Sequence, residues 1–526
     1  MHRRFMKQIV LTALSLVLGL STSVLAQDRA VMAEDKIDAL VERALVDFNI
    51  PGIGIGIIKD GEVVIAKGYG IRDIRGDDKV NGDTLFQIAS NSKAYTAATI
   101  ALLVDEGKLD WDDKVTKHIP EFKMFDPYVT REFTIRDMLS HRSGLPLGAG
   151  DLLFFPDPVA EIDDVLNAVA MIPPSSSFRS KYDYDNAMYI LAGELVARVA
   201  GMPWSDFVEQ RIFKPLNMTD CRATYLRVPK GANIATPHAM DGETLVVRDF
   251  MQHEVTGSVG GINCSVNSSL KWLKTQLNHG VMDSGEPLFS KARHGEMWSP
   301  VTIMNSVAPK MPGEPVRTTH YALGWRISPL PNGTQTISHT GGLDGMLTST
   351  LMLPEENMGL VVFTNQANGW ARNAIISNIM ADYFGEKEAF GYDARVKGSK
   401  ARSSGAVEAM QKIWDARDKA KQATYDEEAY AMTYRDSWYG DIEIIQEDGV
   451  LRFFSKTSPS LVGTIKHFEG DTFVVEWDDR SMVADAYMDF QLDDIGNIAG
   501  IKMRKFDPRT DFSYDFWHLN LKAVKE

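Results

Sequence analysis

The sequence predicts an α/β sandwich carrying an all-helical lobe, followed by a C-terminal antiparallel β-barrel-like domain. Three observations predict it. A helix and a hairpin near the start have their partner strands only after residue 330, a mainly helical stretch lies between them, and the tail is a run of short alternating segments. Ile37, Leu40, Val41, Ala44, Leu45 and Phe48 recur at helical spacing, and Pro51 ends that helix because its ring cannot continue one. Two apolar runs follow, Gly52 to Ile58 and Glu62 to Tyr69, joined by the hairpin signal Lys59-Asp60-Gly61.

From Ser90 to about Leu277 the pattern is mainly helical, with turns at Asp112-Asp113, Pro173-Pro174 and Gly201, which predicts a lobe facing the sheet across a cleft. Strands return at Thr334–Ser338, Thr348–Leu353 and Leu360–Phe363, and a helix near Ala374–Tyr383 completes the layer. The small, polar run from Lys397 to Gly405 predicts a boundary or exposed loop, and a charged helix from Ala406 to about Lys421 follows it. Alternating segments at Ile442–Ile445, Leu451–Phe454, Thr472–Trp477 and Ile498–Met503, separated by turns such as Asp448-Gly449, predict a small barrel or sandwich. The chain divides into a signal segment (1–26), a main α/β domain (27–396), a linker and helix (397–430) and a β domain (431–526).

The start predicts export. His2-Arg-Arg-Phe-Met-Lys7 is a basic region, Ile9 to Leu20 an apolar one, and Val24-Leu25-Ala26 a small-residue cleavage site. The apolar run is shorter than the roughly twenty residues that span a bilayer, so no membrane association is expected after its removal, and the destination is periplasmic or secreted. Cleavage would remove Arg3, Arg4 and Lys7 and no acidic residue, taking the net charge from −15 to −18. That acidity argues against nucleic acid as a partner. Cys221 and Cys264 allow at most one bridge, and their spacing leaves open whether they pair.

The chemistry concentrates in three motifs. In Phe86-Gln-Ile-Ala-Ser-Asn-Ser-Lys93, Ser90 and Lys93 fall one turn apart at the start of an apolar helix that Gly107 ends. A serine hydroxyl needs a base within hydrogen-bond reach, and the amine and the helix N-terminus both favour the alkoxide. Tyr184-Asp185-Asn186 opens a second apolar helix, offering a phenol and an amide that can exchange protons with, and orient, whatever Ser90 attacks. His339-Thr340-Gly341-Gly342 follows a strand, where backbone N–H can pair with that of Ser90 around an oxyanion.

With these motifs, and with Leu139-Ser-His-Arg-Ser-Gly-Leu-Pro146, Gly257-Ser-Val-Gly-Gly-Ile262 and Tyr321-Ala-Leu-Gly-Trp325, the chain resembles the penicillin-recognising serine hydrolases. Within them it resembles the class C β-lactamase-like and D-aminopeptidase-esterase branch, over roughly Ile37 to Phe384. The resemblance implies a β-lactamase/transpeptidase-like fold, with Ser90 as acylated nucleophile, Lys93 as its proton partner and Tyr184 as general base. It also implies Asn186 as a contact to lysine and substrate, and Ser90 and Gly342 N–H groups as the oxyanion hole. Serine deprotonation is assigned jointly to Lys93 and Tyr184. The tail, roughly Tyr434 to Leu521, resembles the lipocalin-like module appended to some relatives.

His339 departs from the family, which usually carries lysine there. A histidine is mostly neutral near pH 7, so it is a poor anchor for a substrate carboxylate. Its alternative reading is a residue that caps the strand edge and packs. His141 is a possible rim contact, although a histidine before a tight turn more often satisfies loop backbone. The Gly257 to Gly261 run is read as close packing beside the cleft. No zinc-binding spacing and no phosphate-binding loop is present, so no metal or cofactor is expected. The expected activity is hydrolysis of amide bonds in short or atypical peptides, then of esters, then of β-lactams. A non-catalytic penicillin-binding sensor is the rival, and the β domain is a candidate site of homo-oligomerisation.

Overall fold

The computed structural model describes residues 29–157, 160–307, 317–387 and 391–525, so the expected signal segment lies outside the described residues. Helix α1 (Glu34–Asp47) leads into β1 (Gly52–Lys59) and β2 (Glu62–Gly70). The helical lobe contains α2 (Ser92–Asp105), α3 (Asn186–Ala200) and α4 (Val266–Leu277). The sheet is completed by β3 (Thr302–Val307), β4 (Arg317–Tyr321), β5 (Arg326–Pro329), β6 (Gln335–Leu343), β7 (Met346–Leu353) and β8 (Met358–Thr364). Helices α5 (Gly369–Phe384) and α6 (Tyr392–Ala416) follow. The sheet is antiparallel throughout, in the order β2-β1-β8-β7-β6-β5-β4-β3.

The Gly-Ile alternation of β1 shows why the sheet becomes a sandwich. Ile53, Ile55 and Ile57 point to one face and pack with Ile37 and Val41 of α1 and Ala374 and Ile375 of α5. Gly54 and Gly56 lie on the other face, where α4 approaches so closely that a Cβ would come within 2.8 Å and 2.7 Å of Val266. Each buried isoleucine contributes about 1.5–3 kcal/mol of apolar transfer, while each glycine admits a helix. Helix α2 is buried on all sides from Ser92 to Val104, as expected of a helix that is apolar around its circumference.

Eight further strands, β9 (Thr433–Asp436), β10 (Gly440–Glu447), β11 (Val450–Ser455), β12 (Val462–Glu469), β13 (Thr472–Trp477), β14 (Ala486–Leu492), β15 (Ile498–Lys505) and β16 (Leu521–Ala523), close into an antiparallel barrel. Phe453, Phe473, Trp477 and Phe490 are buried in it, and one apolar core runs continuously from the helical lobe into the barrel.

The structure departs from the sequence reading by adding β3, β4 and β5 to the sheet ahead of the strand expected at Thr334, and at two further elements. Lys397 to Gly405 is not a loop but the middle of α6, and Gly398 lets that helix lie against Trp370 of α5, where a Cβ would come within 3.0 Å of the indole. The strand expected to stop at Ser338 continues to Leu343, so His339-Thr-Gly-Gly lies within β6, paired along its length with β7. Cys221 and Cys264 are joined in a disulfide. Among the described residues, no helix is long and apolar enough to cross a membrane, and no cluster of three or more histidine, cysteine or acidic residues could hold a metal ion.

Candidate active site

Ser90 sits on a short turn, Ala89–Asn91, that runs straight into α2. Ala89 has φ of 51°, a left-handed conformation that alanine avoids, so the surroundings must impose it. They do so through hydrogen bonds on both sides of the turn. Ile88 N–H donates to the Ile262 carbonyl at 2.8 Å, and the Ile88 carbonyl accepts from Thr348 Oγ1 at 2.7 Å and from Asn91 Nδ2 at 3.1 Å. Gly341 presses against the same turn, where a Cβ would come within 2.4 Å of the Ile88 carbonyl. The turn therefore holds Ser90 half-exposed above the buried start of α2.

Lys93 is fully buried, and its Nζ has three oxygen neighbours within hydrogen-bond distance: Ser90 Oγ at 3.0 Å, Asn186 Oδ1 at 2.8 Å and the Val259 carbonyl at 3.0 Å. Burial pushes the amine well below its ordinary range, with Asp151 opposing and Arg326 reinforcing the shift. A deprotonated amine keeps two N–H groups for Asn186 and Val259 and turns its lone pair to the Ser90 hydroxyl. Asn186 in turn donates from Nδ2 to Asp151 Oδ2 at 2.8 Å. Burial raises Asp151 well above the usual carboxylate range, and Asp515 adds to the effect.

Tyr184 stands beside this pair. Its ring centre lies 4.8 Å from Lys93 Nζ. Burial raises the phenol's pKa against the opposing influence of Arg326 and Ser90, so the neutral phenol is the resting form. The two proton-exchanging groups are thus pushed apart, the lysine toward its free base and the tyrosine toward its acid.

His141 lies behind Tyr184 and not at a rim. It is fully buried, its ring centre is 4.2 Å from that of Tyr184, and its Nδ1 accepts the Asp185 backbone N–H at 3.0 Å. It thereby holds the start of α3 and backs the tyrosine. Asp185 accepts a short hydrogen bond from Ser143, so the middle motif is tied to the loop that contains His141.

His339 is also fully buried. Its Nδ1 contacts the Thr340 carbonyl at 2.8 Å, which can only accept, so Nδ1 carries the hydrogen and Nε2 accepts from the Tyr321 hydroxyl at 2.9 Å. Burial, with Arg326 and Lys93 nearby, drives its pKa well down. The ring is neutral with both nitrogens engaged. The cation lies one strand away: Arg326 of β5 reaches Thr340 Oγ1 at 3.5 Å and lies 5.9 Å from the centre of the Tyr184 ring. Arg326 has no carboxylate partner among the described residues, and its buried Nε is unpaired.

Thr340 and Gly342 border the opening. Leu343 and Met346 close a two-residue turn, so hydrogen-bonded pairs alternate back from them and the Gly342 N–H points away from β7. On that side β5 pairs no further than Ser338, leaving the edge of Thr340 and Gly342 free beside the Ser90 turn.

Sequence reasoning missed Arg326, Asp151 and the Val259 carbonyl. A signal existed for Arg326, an arginine directly after the otherwise apolar Tyr321–Trp325 run. The Gly257–Gly261 run forms a tight helical turn packed against α2 and α3, and in doing so presents the Val259 carbonyl to Lys93.

Comparison with known proteins places this arrangement. A match to a domain of unknown function (DUF3471) covers residues 416–523, which include the barrel. Protein flp of Staphylococcus aureus (strain NCTC 8325 / PS 47) is 28% identical over 335 residues, which span 63% of each chain. Unguisins hydrolase ungD of Aspergillus violaceofuscus is 28% identical over 472 residues, 82% of this chain and 81% of that one. Two solved structures share the fold. The octameric penicillin-binding protein homologue from Pyrococcus abyssi has a TM-score of 0.59 at 21% identity, covering 94% of this chain and 100% of that one. A class C β-lactamase from Rhodobacter sphaeroides has a TM-score of 0.54 at 21% identity, covering 67% and 99%. Residues 37–380 match the Beta-lactamase family, well over half of the chain, and the protein belongs to that family of serine hydrolases.

Proposed function

We propose that the protein hydrolyses amide bonds of short or atypical peptides through an acyl-enzyme on Ser90. The observation that carries this reading is the buried Lys93 amine, held 3.0 Å from Ser90 Oγ with its pKa depressed. Ser90 Oγ attacks the carbonyl carbon and its proton passes to Lys93 Nζ. The carbonyl oxygen becomes an oxyanion between the N–H groups of Ser90 and Gly342. Collapse expels the amine, which takes a proton relayed through the Tyr184 hydroxyl. Water then attacks the acyl carbon, surrendering its proton to the Lys93–Tyr184 pair, and Ser90 leaves as the alcohol.

The pKa directions divide the joint role. Lys93 is the acceptor in acylation and Tyr184 the relay, since a phenol that favours its acid form donates better than it accepts. Arg326 supports peptides over neutral esters as the favoured class, because a guanidinium beside Thr340 with no carboxylate partner among the described residues suits a substrate carboxylate. A relative aligned over 82% of the chain is named as a hydrolase, which supports turnover over a sensor role. The reading includes export through residues 1–26.

The test is a paired measurement on wild type and Ser90→Ala. Wild type should release p-nitrophenol from p-nitrophenyl acetate and carry a fluorophosphonate adduct on the Ser90 peptide, and the variant should do neither. Equal hydrolysis by both proteins would reject the assignment, and mass spectrometry of a D- and L-peptide panel would define the scissile bond.

A further inference from the structure

The barrel does not end at the border of the hydrolytic domain. Between β15 and β16 the chain runs through a long loop, residues 506–520, that enters the cleft beside the Ser90 machinery. Phe512 of this loop stands edge-on to Tyr184 with ring centres 6.0 Å apart. Its carbonyl lies so close to Gly148 that a Cβ there would come within 2.8 Å. The next residue, Ser513, is buried, and its Oγ donates to Asp151 Oδ2 at 2.9 Å.

That contact ends a continuous chain of hydrogen bonds. Lys93 donates to Asn186 Oδ1, Asn186 donates from Nδ2 to Asp151, and Ser513 donates to the same carboxyl oxygen. Among the described residues, Asp151 has side-chain donors only in Asn186 and Ser513, one from each domain, and its Oδ1 has none. An amide has two orientations, and here the lysine at one end and the carboxyl at the other select one. The orientation that presents Oδ1 to Lys93 thus depends on a carboxyl that the barrel helps to hold.

The loop is anchored firmly enough to do this. Asp515, fully buried, accepts the backbone N–H of Gly150 at 3.0 Å and of Leu152 at 2.9 Å, on either side of Asp151. Ser458 donates to the Leu152 carbonyl at 3.2 Å. On the opposite side of the opening, Arg248 pairs with Asp344 in the β6–β7 turn and with Asp479 and Ser481 of the barrel. The barrel thus grips both the loop that carries Asp151 and the turn next to Gly342.

We propose that the loop bearing Phe512 and Ser513 is a wall of the hydrolytic cleft: Ser513 is a positioning residue that holds the Lys93 amine against Ser90 through Asp151 and Asn186, and Phe512 closes the cleft beside Tyr184, so that short acyl groups are taken over long ones. This rests on the serine hydrolase reading above. Ser513 touches no reacting atom and exchanges no proton with substrate. Its effect is on the geometry of the amine.

The experiment uses the full chain with Ser513→Ala, Ser513→Thr and Phe512→Ala, assayed on p-nitrophenyl esters from acetate to dodecanoate and by the rate of fluorophosphonate labelling at Ser90. Ser513→Ala should lower kcat on acetate and the labelling rate by about 10- to 100-fold with KM little changed, the scale expected when a reacting group is misplaced by about 1 Å. Ser513→Thr, which keeps the hydroxyl, should recover most of that loss, as a purely structural defect would not. Phe512→Ala should raise the dodecanoate-to-acetate ratio of kcat/KM by about tenfold, the scale of removing a steric discriminator from an apolar site. Wild-type kcat in Ser513→Ala, or an unchanged ratio in Phe512→Ala, would overturn the corresponding half while Ser90 labelling of the wild type keeps the hydrolase reading. Failure of the wild type to label at Ser90 would overturn both.

Discussion

The hydrolytic domain and the barrel bury their residues on opposite terms. Around Ser90 the hydrolytic domain buries groups that would rather be wet: an amine, a carboxyl, two histidines and a tyrosine with no apolar excuse for their polarity. Inside the barrel the chain buries Phe453, Phe473, Trp477 and Phe490, and its buried carboxylates Asp436, Asp485, Asp507 and Asp515 sit at strand ends and in loops. Buried polar groups cost free energy unless each finds a partner. The difference teaches where each domain spends its stability: the first in holding strained and desolvated chemistry, the second in being a rigid body that can hold a loop in place.

Four substitutions and a pH profile break or sharpen that contrast, and the largest effect belongs to the nucleophile. Ser90→Ala should reduce hydrolysis by at least about 10³-fold, the order lost when a nucleophile that acts with its base is removed. A melting curve close to wild type would show that the loss is chemical. Next comes Lys93→Met, which keeps the length of the chain and deletes the amine, and which should cost about 10²- to 10⁴-fold in kcat. The wild-type pH profile sharpens this. Because burial lowers the Lys93 pKa, its free base forms at lower pH than for an ordinary lysine, so activity should rise with pH through a midpoint below 10.5. A midpoint at or above that value would remove Lys93 as the acceptor.

The barrel's side of the contrast is tested by Trp477→Ala. Removing that indole, 1% exposed, should cost about 3–5 kcal/mol. If the barrel supplies part of the cleft, calorimetry should show esterase activity falling with the barrel's transition and not after it. The smallest expected effect is that of Arg326→Gln, which should raise KM about tenfold for a peptide with a nearby free carboxylate, one charge-assisted hydrogen bond's worth. The same variant should change acetate hydrolysis less, and equal losses on both substrates would mean that the guanidinium serves Tyr184 instead.

Much of the site was legible because its signals are local. Ser90 and Lys93 are three residues apart at a helix start, and helical geometry alone makes them neighbours. Tyr184 and Asn186 flank a helix N-terminus, and the glycines after Thr340 mark a strand edge that must pass close to another backbone. The strands of the tail followed from alternation and turns, and they close into the expected barrel. Lys397 to Gly405 was misread for a physical reason. Its glycines and serines are poor helix formers, but Gly398 against Trp370 and buried Tyr392 and Ala406 dock the segment, and packing outweighs propensities of about 1 kcal/mol per glycine. The motif at His339 was placed after a strand because its glycines weaken the pattern, whereas pairing with β7 keeps them extended.

By itself the sequence determined which side chains could react and which stretches could be helix or strand, because both depend on residues a few positions apart. Tertiary structure alone decided that Arg326, not His339, carries the charge beside Thr340, that Cys221 meets Cys264, and that Ser513 reaches Asp151 across 362 positions of chain. Those outcomes depend on which desolvated groups are brought together when the domains pack, and no local pattern encodes a partner that distant.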